Sequence, residues 1–280
     1  MLQAIVLGIV QGLTEFAPVS SSGHLILVPW LFHWSILNNE VLNKTFDVAL
    51  HMGTFAGAVI YFWRDIVKYL RAWGHSIRKR AITRTNERLA WALVIGTIPG
   101  ALGGALFEDT IDKKLGQPWL IAVMLAVFGV VLYVVDRVME SRRGIRDLRI
   151  KDGVLVGVAQ ALALQPGVSR SGVTMTAGRL LKVDRETAAR FSFLLSLPII
   201  GGAGLYKGAK LVTGSEHIPA GFGGAFAWGI VASAVSGFLV IWGLLTYLRR
   251  HDFLAFAIYR IALALLVFGV IISGTRPGTI

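Results

Sequence analysis

The chain contains no cysteine, which excludes disulfides, thiol nucleophiles, thiolate metal sites and iron–sulfur clusters and leaves the redox compartment undetermined. Charge is scarce as well. Only 16% of the 280 residues are Asp, Glu, Lys or Arg, where soluble chains carry about a quarter. With 55% hydrophobic residues and a mean hydropathy of +0.65, that scarcity excludes an ordinary soluble globule, a disordered chain and a coiled coil, and points to an integral membrane protein. Acidic residues are the rarer sign: 16 against 28 Lys and Arg give a formal charge of +12. Such an excess can mark a nucleic-acid binder, but here the basic residues flank hydrophobic runs, so no nucleic-acid partner is expected. A basic segment before the first apolar run is also lacking, and Gln11, Glu15 and Pro18 stand where a signal peptide needs apolar and small residues, so the N-terminus is expected to be retained.

Stretches able to cross about 30 Å of hydrocarbon need roughly 20 helical residues. Six qualify, near 45–64, 89–107, 118–136, 184–206, 222–248 and 253–274. The few ionisable residues in them are Asp47, His51, Asp136, Arg185, Glu186, Arg190 and Arg260, of which Asp47, His51 and Arg260 are expected to pair within the bundle. Two other apolar stretches, 2–35 and 153–181, are broken in the middle by polar, Pro, Gly and Ser residues, and neither half of either can span. Lys and Arg cluster in 64–88, in 137–151 and at Arg249-Arg250. The positive-inside rule makes these cytoplasmic, with the N-terminus and the 108–117 and 207–221 loops outside. That parity predicts that 2–35 and 153–181 are re-entrant hairpins entering from opposite faces. The expected fold is an all-α polytopic membrane protein with six full transmembrane helices and two re-entrant helical hairpins, about ten helices in one domain over 1–280.

At an offset of 149, residues 8–23 (GIVQGLTEFAPVSSSG) align without a gap on 157–172 (GVAQALALQPGVSRSG), with seven of sixteen positions identical; chance gives about one or two. Each copy is followed by three spans. An inverted-topology repeat is expected, the first half over approximately 1–136 and the second over approximately 153–274. Such repeats place broken helices near the bilayer midplane, where unwound backbone lines a polar cavity and half-helix N-termini face an anion.

Where the copies differ, Glu15 faces Leu164, Ser21 faces Arg170 and His24 faces Val173. One hairpin thus brings a carboxylate, a hydroxyl and an imidazole; the other brings a guanidinium flanked by Ser169, Ser171 and Thr174. If the tips meet, the combined set suits a phosphate or pyrophosphate, because Arg binds oxyanions bidentately, hydroxyls and tip amides add donors, and a carboxylate can hold a divalent cation. A transporter or flippase of an anionic polyprenyl lipid is the alternative, since inverted repeats with broken helices are its hallmark. The asymmetric Glu/Ser/His against Arg supplies hydrolytic parts where transport needs only binding groups, and phosphate release discriminates the two.

Gln11-x-x-x-Glu15 with Pro18-Val-Ser-Ser-Ser-Gly-His24, then Pro166-Gly-Val-Ser-Arg-Ser-Gly-Val-Thr174, resembles the bacterial undecaprenyl pyrophosphate phosphatases of the bacitracin-resistance family. The likeness extends to Phe191-Ser-Phe-Leu-Leu-Ser-Leu-Pro198 and to Tyr259-Arg-Ile in the last span. It implies hydrolysis of undecaprenyl pyrophosphate to undecaprenyl phosphate and inorganic phosphate, which recycles the lipid carrier for cell-wall synthesis and confers bacitracin resistance. The family pattern takes Glu or Gln at its first position; Gln11 leaves one carboxylate where other members have two. The resemblance implies functional roles for Glu15, Ser20, Ser21, Ser22, His24, Ser169, Arg170 and Thr174, with Gln11 supporting. On their chemistry Glu15, Ser21, His24 and Arg170 are assigned to catalysis, Gln11, Ser20, Ser22, Gly23, Ser169, Ser171 and Thr174 to binding the pyrophosphate, and Glu15 to holding Mg²⁺ or Ca²⁺. Ser21 is then the attacking hydroxyl or the group that orients a water, and His24 the proton carrier. The implied partners are the polyprenyl pyrophosphate and membrane lipids, and a homodimer is possible. The expected location is the bacterial inner membrane with the site open to the external face. Ser22-Gly23-His24 is also similar to part of the Ser-Gly-His motif of type 2 phosphatidic acid phosphatases, but no histidine follows Ser169-Arg170 at their short spacing; only His217 and His251 come later.

Overall fold

The computed structural model describes residues 1–34, 40–110, 115–213 and 222–279. The described residues form ten α-helices: α1 (Leu2–Phe16), α2 (Ser21–Phe32), α3 (Glu40–Lys79), α4 (Thr85–Thr110), α5 (Pro118–Val138), α6 (Ile150–Ala161), α7 (Arg170–Leu180), α8 (Arg185–Val212), α9 (Gly223–Leu248) and α10 (Leu254–Ile272). Six of them, α3, α4, α5, α8, α9 and α10, are long and apolar enough to cross a membrane. Their outward surfaces carry Leu102, Val130, Val134, Leu205, Val235 and Leu265, all exposed, which is the lipid-facing belt of a polytopic helical membrane protein.

The other four helices are short for identifiable reasons. Pro18 follows α1, and a proline excludes helical geometry from the residue before it; α1 therefore stops at Phe16 after 15 residues, about 22 Å at 1.5 Å per residue. Ser20 then caps α2, which has 12 residues. The second pair repeats this design. Helix α6 has 12 residues and passes through a 3-10 turn at Leu162–Leu164 before Pro166, and Ser169 caps the 11-residue α7. None of the four reaches across about 30 Å of hydrocarbon.

Packing exchanges the two halves. Helix α1 lies along α9 and α6 along α4, while α5 pairs with α10 and α3 packs chiefly on α9 and also on α8. The α1/α9 and α6/α4 seams run through glycine. A Cβ at Gly8 would strike the carbonyl of Gly229, and one at Gly157 would strike that of Gly96, so backbone packs on backbone as small residues allow between membrane helices. Near the other end of α7, Arg179 is buried and donates from Nε to Asp136 of α5 at 2.7 Å, and Arg185 Nε donates to the same carboxylate at 2.8 Å.

The span expected at 45–64 is the central part of a 40-residue helix, and the basic run after it is helical to Lys79, with a turn before α4 begins at Thr85. Lys and Arg are good helix formers, and this extension has tertiary partners. Trp91 Nε1 donates to Ser76 Oγ at 2.9 Å, His75 Nδ1 meets Glu87 at 2.7 Å, and Trp73 packs edge-on to Trp91. The expected 108–117 and 207–221 loops fall in part outside the described residues, at 111–114 and 214–221.

Candidate active site

The two broken pairs meet tip to tip. Ser20 Oγ accepts from the backbone N–H of Gly167 at 3.0 Å, and Ser171 Oγ donates to the carbonyl of Ala17 at 2.9 Å. Each tip also has the same backbone conformation: Ser20 has φ 76, ψ 91 and Ser169 φ 75, ψ 112, a left-handed region that non-glycine residues enter only when the surroundings dictate it. Each serine caps its helix, Ser20 Oγ accepting from Gly23 N at 3.4 Å and Ser169 Oγ from Gly172 N at 3.1 Å.

Arg260 of α10 holds both tips. It is 0% exposed and donates to Pro18 O at 3.1 Å in the first tip, to Gly167 O at 2.8 Å and Val168 O at 3.0 Å in the second, and to Leu125 O and Met124 O of α5. Its charge is met entirely by carbonyl dipoles. The expectation that it pairs within the bundle holds in this form: its partners are the backbones of the two tips, and it is the residue that fixes one against the other.

Beside the tips lies a cavity of about 300 Å³ lined by Glu15, Ser20, Ser21, Ser22, His51, Gln160, Ser169 and Arg170, with apolar walls from α3 and α8 that include Val48, Met52, Ile199 and Ile200. Glu15 is its centre. The Glu15 side chain is only 3% exposed; Oε1 accepts from Arg170 Nη2 across the tips, and Oε2 accepts from Ser21 Oγ at 2.6 Å and from Gln11 Nε2 at 2.9 Å. A carboxylate from α1, a hydroxyl from α2 and a guanidinium from α7 therefore form one hydrogen-bonded unit. Arg170 Nη1 is buried without a hydrogen-bond partner, so the guanidinium has an N–H pair to offer to a ligand.

Of the expected residues, Glu15, Ser20, Ser21, Ser22, Ser169 and Arg170 line the cavity, and the others support it from behind. Gln11 holds Glu15. Gly23 presses α2 onto α5, where an added Cβ would lie 3.1 Å from Ile121. Ser171 staples the tips, and Thr174 joins α7 to α8 through Ser192 at 2.6 Å. His24 turns away: Nδ1 lies 2.7 Å from Ser20 O and Nε2 2.7 Å from the hydroxyl of Tyr259. A carbonyl only accepts, so Nδ1 carries the hydrogen and Nε2 accepts from Tyr259.

The imidazole on the cavity wall is His51 of α3. Its Nδ1 lies 2.7 Å from Asp47 O, which again places the hydrogen there. Its Nε2 lies 3.5 Å from Glu15 Oε2, with the side chain 32% exposed. From the sequence alone His51 is expected only to pair within the bundle. A histidine one turn after an acidic residue in a span was the available signal, but nothing local ties it to Glu15, 36 positions earlier. Among the described residues no group of three or more His, Cys, Asp or Glu side chains is arranged to hold a metal. A cation here would have Glu15, the neighbouring hydroxyls and oxygens brought by a ligand, a donor set that suits a hard ion such as Mg²⁺ or Ca²⁺ that keeps several waters.

Residues 4–266 match the bacitracin resistance protein BacA family. The chain is 48% identical over 270 residues to an undecaprenyl-diphosphatase of Moorella thermoacetica, covering 96% of this chain and 97% of that protein. It is 47% identical to one of Desulforudis audaxviator, covering 95% of each, and 46% identical to one of Pelotomaculum thermopropionicum, covering 99% and 98%.

Proposed function

This chain belongs to the bacitracin resistance protein BacA family, and from that membership together with the cavity we infer that it is a membrane enzyme hydrolysing undecaprenyl pyrophosphate to undecaprenyl phosphate and inorganic phosphate. Recycling the carrier in this way serves cell-wall synthesis and gives bacitracin resistance. The observation that carries the mechanism is the cross-tip unit of Arg170, Glu15 and Ser21 in one half-buried cavity.

Phosphoryl transfer needs positioning and charge stabilisation more than covalent assistance. We assign Arg170 to the transferring phosphoryl group, which its free N–H groups bind and whose developing charge it neutralises. Ser21 Oγ already donates to Glu15, so Glu15 takes the proton as that oxygen, or a water it orients, attacks the terminal phosphorus. The bond from phosphorus to the bridging oxygen breaks, undecaprenyl phosphate departs, and His51 Nε2 is placed to accept the proton from Glu15. Attack by Ser21 itself is followed by water releasing phosphate from the serine. Ser20, Ser22 and Ser169 line the phosphate path, Gln11 orients Glu15, and Ser171, Gly23 and Thr174 keep the tips in place. His24 acts as a positioning residue: with Tyr259 it fixes the carbonyl of Ser20 and so the strained cap beside Ser21. Glu15, with oxygens of the substrate and water, would hold Mg²⁺ or Ca²⁺, which would supply additional neutralisation of pyrophosphate charge. The two halves form an inverted repeat whose site opens externally, with 64–88 and 137–151 cytoplasmic. A single cysteine at Arg80 should resist an impermeant thiol reagent in intact cells, and labelling there would reverse the orientation.

The direct test is phosphate release by the purified protein from a polyprenyl pyrophosphate, with and without chelator. Release that falls sharply in chelator and returns with Mg²⁺ or Ca²⁺ is expected. Full activity in chelator removes the metal, and binding without release makes the protein a carrier of the lipid.

A further inference from the structure

Gln160 is the polar group of the cavity to which these roles give no work. It stands at the end of α6, 3% exposed, on the same cavity wall as Ser21 and Arg170, and neither Nε2 nor Oε1 has a hydrogen-bond partner. A buried amide with every polar atom unpaired is unfavourable unless something else supplies partners. Its counterpart in the other half, Gln11, has one, because Glu15 lies one turn further along and accepts at 2.9 Å. One turn beyond Gln160 stands Leu164, so the amide has no acceptor of its own. Room is also kept for it. A Cβ at Gly100 of α4 would lie 2.8 Å from Gln160 Nε2, so any other residue there would press on the amide. Arg170 Nη1 is the second buried donor on this wall without a partner.

We propose that Gln160 is a pyrophosphate-binding residue: its amide donates to a phosphate oxygen of the substrate and, with Arg170, sets where the pyrophosphate lies along the cavity. The proposal rests on the phosphatase assignment and adds a residue to it. The two donors divide the work by charge. Arg170 meets oxygens on which charge develops, so it acts mainly in the transition state. Gln160 is neutral and grips the substrate equally before and during reaction, which is uniform binding and belongs in KM. The repeat gave both halves a glutamine at the same place; one became the support of a carboxylate and the other a ligand for the anion.

The test compares wild type with Gln160→Leu and Gln160→Glu for KM and kcat on a polyprenyl pyrophosphate, for inhibition by inorganic pyrophosphate, and for Tm. Leucine matches the amide in size and removes unpaired polar atoms, so Tm should hold or rise. KM and the inhibition constant for pyrophosphate should both rise about 10- to 100-fold, the range for a hydrogen bond to a charged group, with kcat changed less than about threefold. Glutamate, an acceptor only, should be worse than leucine. Unchanged KM and inhibition constant in Gln160→Leu would mean that the amide finds its partners in water, and the proposal fails; a fall in kcat at constant KM overturns it equally. If Gln160→Leu does not fold, Gln160→Met carries the same test. Should wild type release no phosphate, the enzymatic assignment fails separately, and pyrophosphate binding, lost in Gln160→Leu if the proposal is right and retained if it is wrong, still decides the role of Gln160.

Discussion

Ser20 and Ser169 adopt nearly the same left-handed cap, each one residue before a short helix and each bonded to a glycine N–H three positions on. Around that shared frame the side chains diverge. The first tip has Glu15, Ser21 and a partnered Gln11; the second has Leu164, Arg170 and an unpartnered Gln160. The shared serines cap the two tips, and the carboxylate and guanidinium stand at positions where the copies differ. A strained cap costs about 1–3 kcal/mol, and here two are held at once by Arg260 and by hydrogen bonds between the tips. Two copies of a turn thus meet in one frame, and the loss of symmetry in its side chains puts the Glu15 carboxylate of one tip against the Arg170 guanidinium of the other.

The division can be broken side chain by side chain. Glu15→Gln should have the largest effect, about 10³-fold or more in kcat, because one carboxylate serves Ser21, Arg170 and His51 together and its loss leaves the partly buried Arg170 without its counter-charge. Arg170→Ala should follow at about 10²- to 10³-fold, comparable to the loss of an oxyanion donor, and Arg170→Lys should recover only part, since an ammonium lacks the planar fork. His51→Ala should lower kcat by about 10²-fold, as for the loss of a group that accepts a proton in the reaction. His24→Gln, which keeps a donor near Ser20 O, should cost less than His51→Ala, as expected of a residue that only positions the cap. A larger loss of kcat in His24→Gln than in His51→Ala would return the proton to His24.

Much of this was legible in the sequence because lipid imposes simple rules. Six spans, two broken stretches and the internal repeat all follow from hydropathy and from Pro, Gly and Ser at fixed offsets. The pairing of Glu15, Ser21 and Arg170 was legible as well, since the repeat predicts that the tips converge. What escaped were residues whose role is set by neighbouring helices. His51 lies on α3 and Arg260 on α10, and no local spacing ties either to a tip. His24 sits three residues from Ser21, but Tyr259, 235 residues later, takes its Nε2. The basic run after residue 64 gave no sign that α3 continues, because its support comes from Trp91 and Glu87 on the next helix.

The central claim is that two hairpin tips make one catalytic unit, and a double-mutant cycle tests it most directly. With Glu15→Gln, Arg170→Ala and the combination all shown to be folded, kcat/KM on a polyprenyl pyrophosphate should be little lower in the double variant than in the poorer single one, because residues acting as one unit are strongly non-additive. Losses that multiply in the double variant would show that the carboxylate and the guanidinium act independently, and the shared site would be wrong.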